Sequence, residues 1–333
     1  MKKITRFITY LAAVLAMAFA LAACGGSDSN GGTIVTDATP SPSPVPQTTS
    51  DDSFTPLMWL VTAPNGQTMY IFGSIHVASA DLYPLPPIVM DAFERSDYLA
   101  TEVFEPDEAA FEVFVLTDGR LVTDFISEDL RDRALDALLD YIGYGADYMQ
   151  LFALMPEVLD VFHPFMWVSI FQELAVELSS LSVDYGLETV MWEMAAERGM
   201  PVLAIEDVFA VNAALAALSP ELLSILLESS LDITAAAAAT DVLYGIWLTG
   251  DYYALMQVLM YEDDYISYYD AALSAEWTDA LLTDRDILMA DRASEFMAEG
   301  KKVFFVVGAA HLIGEGSVID LLQQRGYQVE RMR

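Results

Sequence analysis

The 333-residue sequence is poor in three chemistries at once: one cysteine, three histidines, and 15 lysines and arginines against 50 acids. A lone cysteine, Cys24, excludes an intrachain disulfide, a cysteine-built zinc site and a dithiol redox couple. The formal net charge of −35 excludes a reader of phosphate backbones, which needs clustered Lys and Arg, so no nucleic-acid partner is expected. The same charge argues against electrostatic adhesion to anionic lipid. A P-loop, a dinucleotide fingerprint, a Gly-x-Ser-x-Gly elbow and a His-Glu-x-x-His helix are all missing, which sets aside nucleotide, serine-hydrolase and zincin chemistry. Apolar residues, by contrast, make up 54% of the chain, enough for a substantial core.

The N-terminus carries its own signal. Lys2, Lys3 and Arg6 precede an apolar run from Phe7 to Ala20, followed by Leu21-Ala22-Ala23-Cys24. A basic start, a short apolar segment and small residues before a cleavage point describe a secretory signal. The run is short for a transmembrane helix, which needs roughly 20 apolar residues. Leu-Ala-Ala-Cys resembles the processing site of bacterial lipoproteins, which implies that Cys24 becomes the lipidated first residue. The expected location is extracytoplasmic and membrane-anchored, on the cell surface or facing the periplasm, with the membrane met through the lipid. Residues 25–53 are mostly Gly, Ser, Thr, Pro and Asp, with a Pro-Ser alternation from Thr39 to Pro46. Such a segment cannot bury enough apolar surface to offset its ordering entropy and reads as a disordered, semi-rigid tether. The expected organisation is a signal peptide over 1–23, a tether over 24–53 and one domain over 54–333.

Within the domain, Leu57–Thr62 and Thr68–Phe72 are β-rich and are separated by a loop containing Asn65-Gly66, a strong hairpin signal. A short helix over Pro86–Glu94 and a strand over Asp97–Phe104 follow. From about 125 to 300 the spacing of apolar residues is mainly helical, with helices at Asp184–Arg198, Asp232–Leu248 and Leu281–Glu299, and a short strand at Pro201–Ile205. The end returns to a strand (Val303–Val307), a helix (Glu315–Gln324) and a last strand (Tyr327–Met332). The expected fold is mixed α/β (α+β): a central sheet formed from both ends of the chain and a large helical middle.

Two of the three histidines sit in matching contexts. One is Tyr70-Ile71-Phe72-Gly73-Ser74-Ile75-His76; the other is Phe305-Val306-Val307-Gly308-Ala309-Ala310-His311. Each is an apolar strand, a glycine, two small or apolar residues and a histidine. Gly73 and Gly308 are expected to let the chain leave the strand in a conformation other residues tolerate poorly. Each histidine then projects from the carboxyl end of a strand, where open α/β sheets bind ligands. If the strands are neighbours, the imidazoles converge, and histidine is the commonest metal ligand. Hydrogen bonding of each ring to its own loop is the alternative, and the duplication weighs against it. Glu102, at the end of the next strand, is the best third member. It can bind a metal, deprotonate a metal-activated water, or be a solvated acid. Two histidines and a carboxylate form an open ligand set suited to hydrolytic zinc and non-haem metal centres. His163, followed by Pro164 among aromatics, reads as packing, Glu315 as a helix-start acid, and the aromatic-acidic run from Tyr261 to Asp270 as an exposed face or substrate rim.

The segment Gly73–Glu102 with Asp81-Leu82-Tyr83-Pro84-Leu85-Pro86 inside it, and Val306–Gly316 running on to Arg325-Gly326-Tyr327, resemble the two ends of the TraB/GumN family, related to Tiki-type metalloproteases. Trp247-Leu248-Thr249-Gly250-Asp251, Arg198-Gly199-Met200-Pro201-Val202 and Ile205-Glu206 resemble its internal landmarks. Arg285 stands where the family has an Arg-Asn pair. Asp286 in place of the asparagine, Glu188 in a Gly-x-Asp position and Ile205 for leucine depart from the pattern. The resemblance implies a metal-dependent, peptidase-like hydrolase acting on a peptide or small acyl-type substrate. It implies a divalent ion (Zn, Mn, Co or Fe) held by His76, His311 and Glu102, with Arg285 supporting the transition state. Arg285 can alternatively pair with Asp284, Asp286 or another acid. A non-catalytic lipoprotein that binds a ligand or inhibits a signal through the same pocket is the rival expectation.

Overall fold

The Asn65-Gly66 turn sets the start of the fold. The computed structural model describes residues 54–104, 108–141, 156–258, 266 and 270–333. Strands β1 (Met58–Thr62) and β2 (Thr68–Ser74) pair antiparallel, Met58 opposite Phe72. Between them Gly66 takes φ 85°, its N–H donates to the Ala63 carbonyl, and Gln67 N–H donates to Asn65 Oδ1. Helix α1 (Pro87–Glu94) leads into β3 (Tyr98–Thr101), which stops short of the expected Phe104 as the Thr101 hydroxyl turns back onto the Val103 carbonyl.

The helical middle comprises α2 (Glu128–Tyr141), α3 (Pro164–Leu178), α4 (Leu187–Arg198), α5 (Val208–Ala216), α6 (Pro220–Ser230), α7 (Ile233–Thr249), α8 (Ala271–Thr278) and α9 (Asp284–Ala298), with the three-residue strand β4 (Val202–Ala204) among them. Capping explains several of the boundaries. Ser127 Oγ accepts from Leu130 N–H, Asp232 accepts from Ala235 N–H, and Gly199 ends α4 at φ 64°. The expected helix from Leu281 is found, but it is continuous with α8: a π-helical turn (Asp279–Thr283) joins Ala271–Thr278 to Asp284–Ala298. Strand β5 (Val303–Gly308), α10 (Val318–Gln324) and β6 (Gln328–Met332) close the chain. Helix α10 starts after the expected Glu315, because Gly314 and Gly316 take φ 93° and 79° and Ser317 supplies the cap.

The sheet order is β4-β3-β5-β2-β1-β6. Strands β4, β3, β5 and β2 run parallel, and β1 lies antiparallel to both β2 and β6. The fold is mixed α/β, as expected, with the sheet built from both chain ends except for β4 at its edge. Phe72, Phe304 and Phe305 anchor one core at the sheet; Phe165, Trp167 and Phe171 anchor a second among the helices. Helices α3 and α7 contribute to both, Val176 and Trp247 on the sheet side, Phe171 and Ala236 on the helical side.

Cys24, the signal and the tether lie outside the described residues, as does most of the run Tyr261–Asp270. No single helix among the described residues is long and apolar enough to cross a membrane.

Candidate functional site

Strand order determines what meets at the sheet's carboxyl edge. Strand β5 lies between β2 and β3, with Ser74 opposite Gly308 and Thr101 opposite Val306. The chain leaves all three strands at one edge, so His76, His311 and Glu102 come to the same end of the sheet. Pairing of β3 with β4 continues past the strands: Ile205 N–H donates to the Thr101 carbonyl and Glu206 N–H to the Glu102 carbonyl. That sets Glu206 beside Glu102.

The two glycines serve a different purpose from the one expected. Neither takes a positive φ; Gly308 has φ −49° and ψ 138°, open to any residue. What matters is the missing Cβ. At Gly73 it would meet the Ala309 backbone and Leu57 at 3.2 Å and Leu312 at 3.3 Å, so β2 packs against the second elbow there. At Gly308 it would lie 3.2 Å from Glu102 Oε1, 3.6 Å from His76 Nε2 and 3.6 Å from His311 Cδ2. The space above Gly308 is therefore shared by all three side chains.

Each imidazole is held from behind. His311 Nδ1 lies 2.6 Å from Asp286 Oδ1 on the first turn of α9. His76 Nδ1 lies 3.2 Å from Glu188 Oε2 on the first turn of α4, and the Ser74 hydroxyl donates to Glu188 Oε1. The α4 start is pressed onto the first elbow: Leu187 N–H donates to the Ile75 carbonyl, and a Cβ on Gly186 would sit 2.1 Å from the His76 carbonyl oxygen. The Trp247 indole donates to the Gly73 carbonyl at 3.0 Å.

Glu102 is fixed at both oxygens. Oε1 accepts from Gly308 N–H at 2.6 Å and lies 3.8 Å from His311 Nε2; Oε2 accepts from Arg285 Nη2 at 2.8 Å. Arg285 also grips Glu206 through Nε at 2.8 Å and Nη2 at 2.7 Å, and reaches the Leu281 carbonyl in the π turn. Of the alternatives for Arg285, the structure takes "another acid", and most of its donors are occupied. Burial would push the Glu102 carboxyl up, but His311, Arg285, His76 and the Gly308 N–H together hold it down at about 2. Burial alone would lower His76, yet Glu188 raises it above its ordinary value. Burial pushes Asp286 up against the opposing pull of His311.

At this point the chain can be placed among known proteins. Its sequence matches the model of the TraB/PrgY/gumN family over residues 57–331. It belongs to that family. No curated protein and no solved structure matches it. Two of the family landmarks read from the sequence brace this edge, and a third ties the far end of α4 to α1. Trp247 holds the first elbow, Glu206 holds Arg285, and the Arg198 guanidinium donates to the Phe93 and Glu94 carbonyls.

Whether a divalent ion suits these residues depends on donors and charge. Glu102, Glu188, Glu206 and Asp286 are all buried, against one guanidinium. A buried excess of negative charge is costly without cations. Both imidazoles are held at Nδ1, the arrangement that leaves Nε2 as the ligating atom, and the cradle above Gly308 is one a methyl group would fill. The residues fit a cation in these respects, although no group of three or more His, Asp or Glu among the described residues is drawn to metal-ligand spacing.

Sequence reasoning did not bring Glu188, Asp286, Glu206 or Ser74 to this edge, where the structure places them. Glu188 and Asp286 were visible as departures from the family pattern, but nothing local showed which histidine each would face. His163 packs as expected. Its Nδ1 accepts from Phe165 N–H at the start of α3, its ring lies against Phe114 and Phe125, and burial with nearby Arg120 lowers it to about 4.

Proposed function

We propose that this family member is a membrane-tethered, metal-dependent hydrolase of peptide or small acyl-type bonds, anchored outside the cytoplasm through Cys24. The observation that carries it is the shared space above Gly308, bounded by His76 Nε2, Glu102 Oε1 and the His311 ring. His76 and His311 would hold a divalent ion through their Nε2 atoms, with Glu102 completing the set. When bound, such an ion supplies Lewis acidity and a more acidic water at neutral pH.

The chain's own residues do the rest. Arg285 and the Gly308 N–H fix both oxygens of Glu102, so its carboxylate cannot rotate away. A carboxyl held near 2 stays ionised, which suits Glu102 to compensating a cation better than to taking up a proton. Glu206 compensates Arg285 from the far side, so the guanidinium acts chiefly by orienting Glu102. Burial of His311 and Glu102 limits competing water.

Metal analysis of the purified protein beside His76→Ala/His311→Ala is the primary test. Stoichiometric metal in the parent and little in the variant is expected, with peptide-library hydrolysis lost in Glu102→Ala. Equal metal in parent and variant would refute the reading. Metal binding with no turnover on any substrate would favour the ligand-binding lipoprotein.

A further inference from the structure

Each imidazole at the sheet edge has one nitrogen facing the shared space and the other against a carboxylate from the helical middle. His311 Nδ1 meets Asp286 at 2.6 Å and His76 Nδ1 meets Glu188 at 3.2 Å. The supporting carboxylates are 8% exposed or less. An ionised carboxylate only accepts hydrogen bonds. Each therefore requires an N–H at Nδ1, which leaves the Nε2 lone pair for the shared space.

We propose that Asp286 and Glu188 are positioning residues that lock His311 and His76 in the Nδ1–H tautomer. This deepens the metal-site reading and rests on it for its function, but not for its test. Neither residue touches the space above Gly308; each acts through its histidine. The two locks are built differently. Glu188 is itself clamped by the Ser74 hydroxyl, two residues ahead of His76 on the same elbow, so β2 sets both the ring and, through α4, its support. Asp286 adjoins Arg285, so one turn of α9 fixes both His311 and Glu102. Each imidazole thus has its own carboxylate at Nδ1, and releasing one leaves the other in place.

With three histidines in the chain, every imidazole can be followed by two-bond proton–nitrogen NMR on the full-length protein stripped of metal. In alkaline buffer, His76 and His311 are expected to show the Nδ1–H pattern. Asp286→Ala should release His311 and leave His76 unchanged; Glu188→Ala should do the reverse. The undisturbed ring in each variant, with buried His163 as a third reporter, shows that the fold persists. Zinc affinity should fall by about 10- to 100-fold in each variant. An Nε2–H pattern on His76 or His311 in the parent, or variants that leave the tautomers unchanged, overturns the proposal. So does zinc binding as tight in the variants as in a metal-binding parent. A parent that binds no zinc refutes the metal reading alone, and the NMR patterns still decide the role of the two carboxylates.

Discussion

Gly73 and Gly308 hold the same place in two matching motifs, yet the structure assigns them opposite sensitivities. At Gly308 the backbone is already in a region alanine favours, φ −49° and ψ 138°, so Gly308→Ala incurs no conformational penalty. Reduced freedom of the unfolded chain should favour the variant by about 0.4–1 kcal/mol. Against that stands one tight contact, 3.2 Å to Glu102 Oε1, at the end of a side chain. The net effect should be within about 1 kcal/mol, or roughly 2–4 °C in melting temperature for a domain of this size. Function should respond far more. The new methyl would sit 3.6 Å from His76 Nε2 and 3.6 Å from the His311 ring, in the space where any ligand common to them must lie. Metal affinity or turnover should fall by about 100-fold, some 2.7 kcal/mol. Gly73→Ala is the contrast: its methyl meets the Ala309 backbone and the Leu57 and Leu312 side chains, none of them chemical. Overpacking of that kind costs about 1–3 kcal/mol, with metal uptake retained by the folded fraction. Calorimetry and metal titration on both variants provide the assay. A Gly308→Ala protein that binds metal and turns over like the parent would refute the placement of the site.

Other expectations concern the supports. Gly186→Ala would drive a Cβ to 2.1 Å from the His76 carbonyl oxygen; a loss of at least about 1–3 kcal/mol by chemical denaturation is expected, and unchanged stability would show that α4 does not press on the elbow. Glu206→Ala removes two charge-assisted hydrogen bonds to Arg285 but leaves the guanidinium paired with Glu102, and should cost about 1.5–3 kcal/mol, read as a shifted urea midpoint. His163 is depressed from 6.5 to about 4, so between those values the unfolded chain binds a proton that the folded chain does not. Stability should therefore fall as pH drops from 6.5 towards 4, by up to about 3 kcal/mol. His163→Asn keeps an acceptor for the Phe165 N–H and should flatten that limb of the pH–stability curve. Glu102, lowered from 4.5 to about 2, contributes stability that is present above 4.5 and lost as pH falls through about 2. Glu102→Gln should reduce that lower limb in the same titration.

The sequence made the repeated parts of the site legible and concealed the single ones. Two strand–Gly–x–x–His segments announce each other by duplication, and parallel pairing of β2 with β5 follows from placing both at one edge. Glu102 was legible because it ends the strand after the first elbow. Glu188 and Asp286 were not, because each lies on a helix whose rotation depends on tertiary packing. The face of α9 that carries Asp286 is set by a π-helical turn just before it, and no residue pattern in Asp279–Thr283 predicts one. The same limit applies to Gly308: the sequence suggested a conformational reason for glycine, while the true reason, space shared with two distant side chains, exists only after folding. Element boundaries moved wherever caps lay inside the apolar pattern, as at Ser317.

Chain order has a further consequence for the site. Strand β5 is among the last elements made, yet it pairs with both β2 and β3. Until residues 303–308 dock, β3 and β2 have no partner between them, His311 is absent, and Glu102 lacks the Gly308 N–H that holds one of its oxygens. The four buried carboxylates at that edge would then face one another with Arg285 as their only fixed cation. Docking of β5 brings in the N–H and the imidazole together, so joining of the β3 and β2 sides of the sheet and completion of the site are one event. Contacts of such long sequence separation form late and slowly. Any variant that loosens β5 should therefore lose the site before it loses the helical core around Trp167, whose members all lie between Phe111 and Leu281.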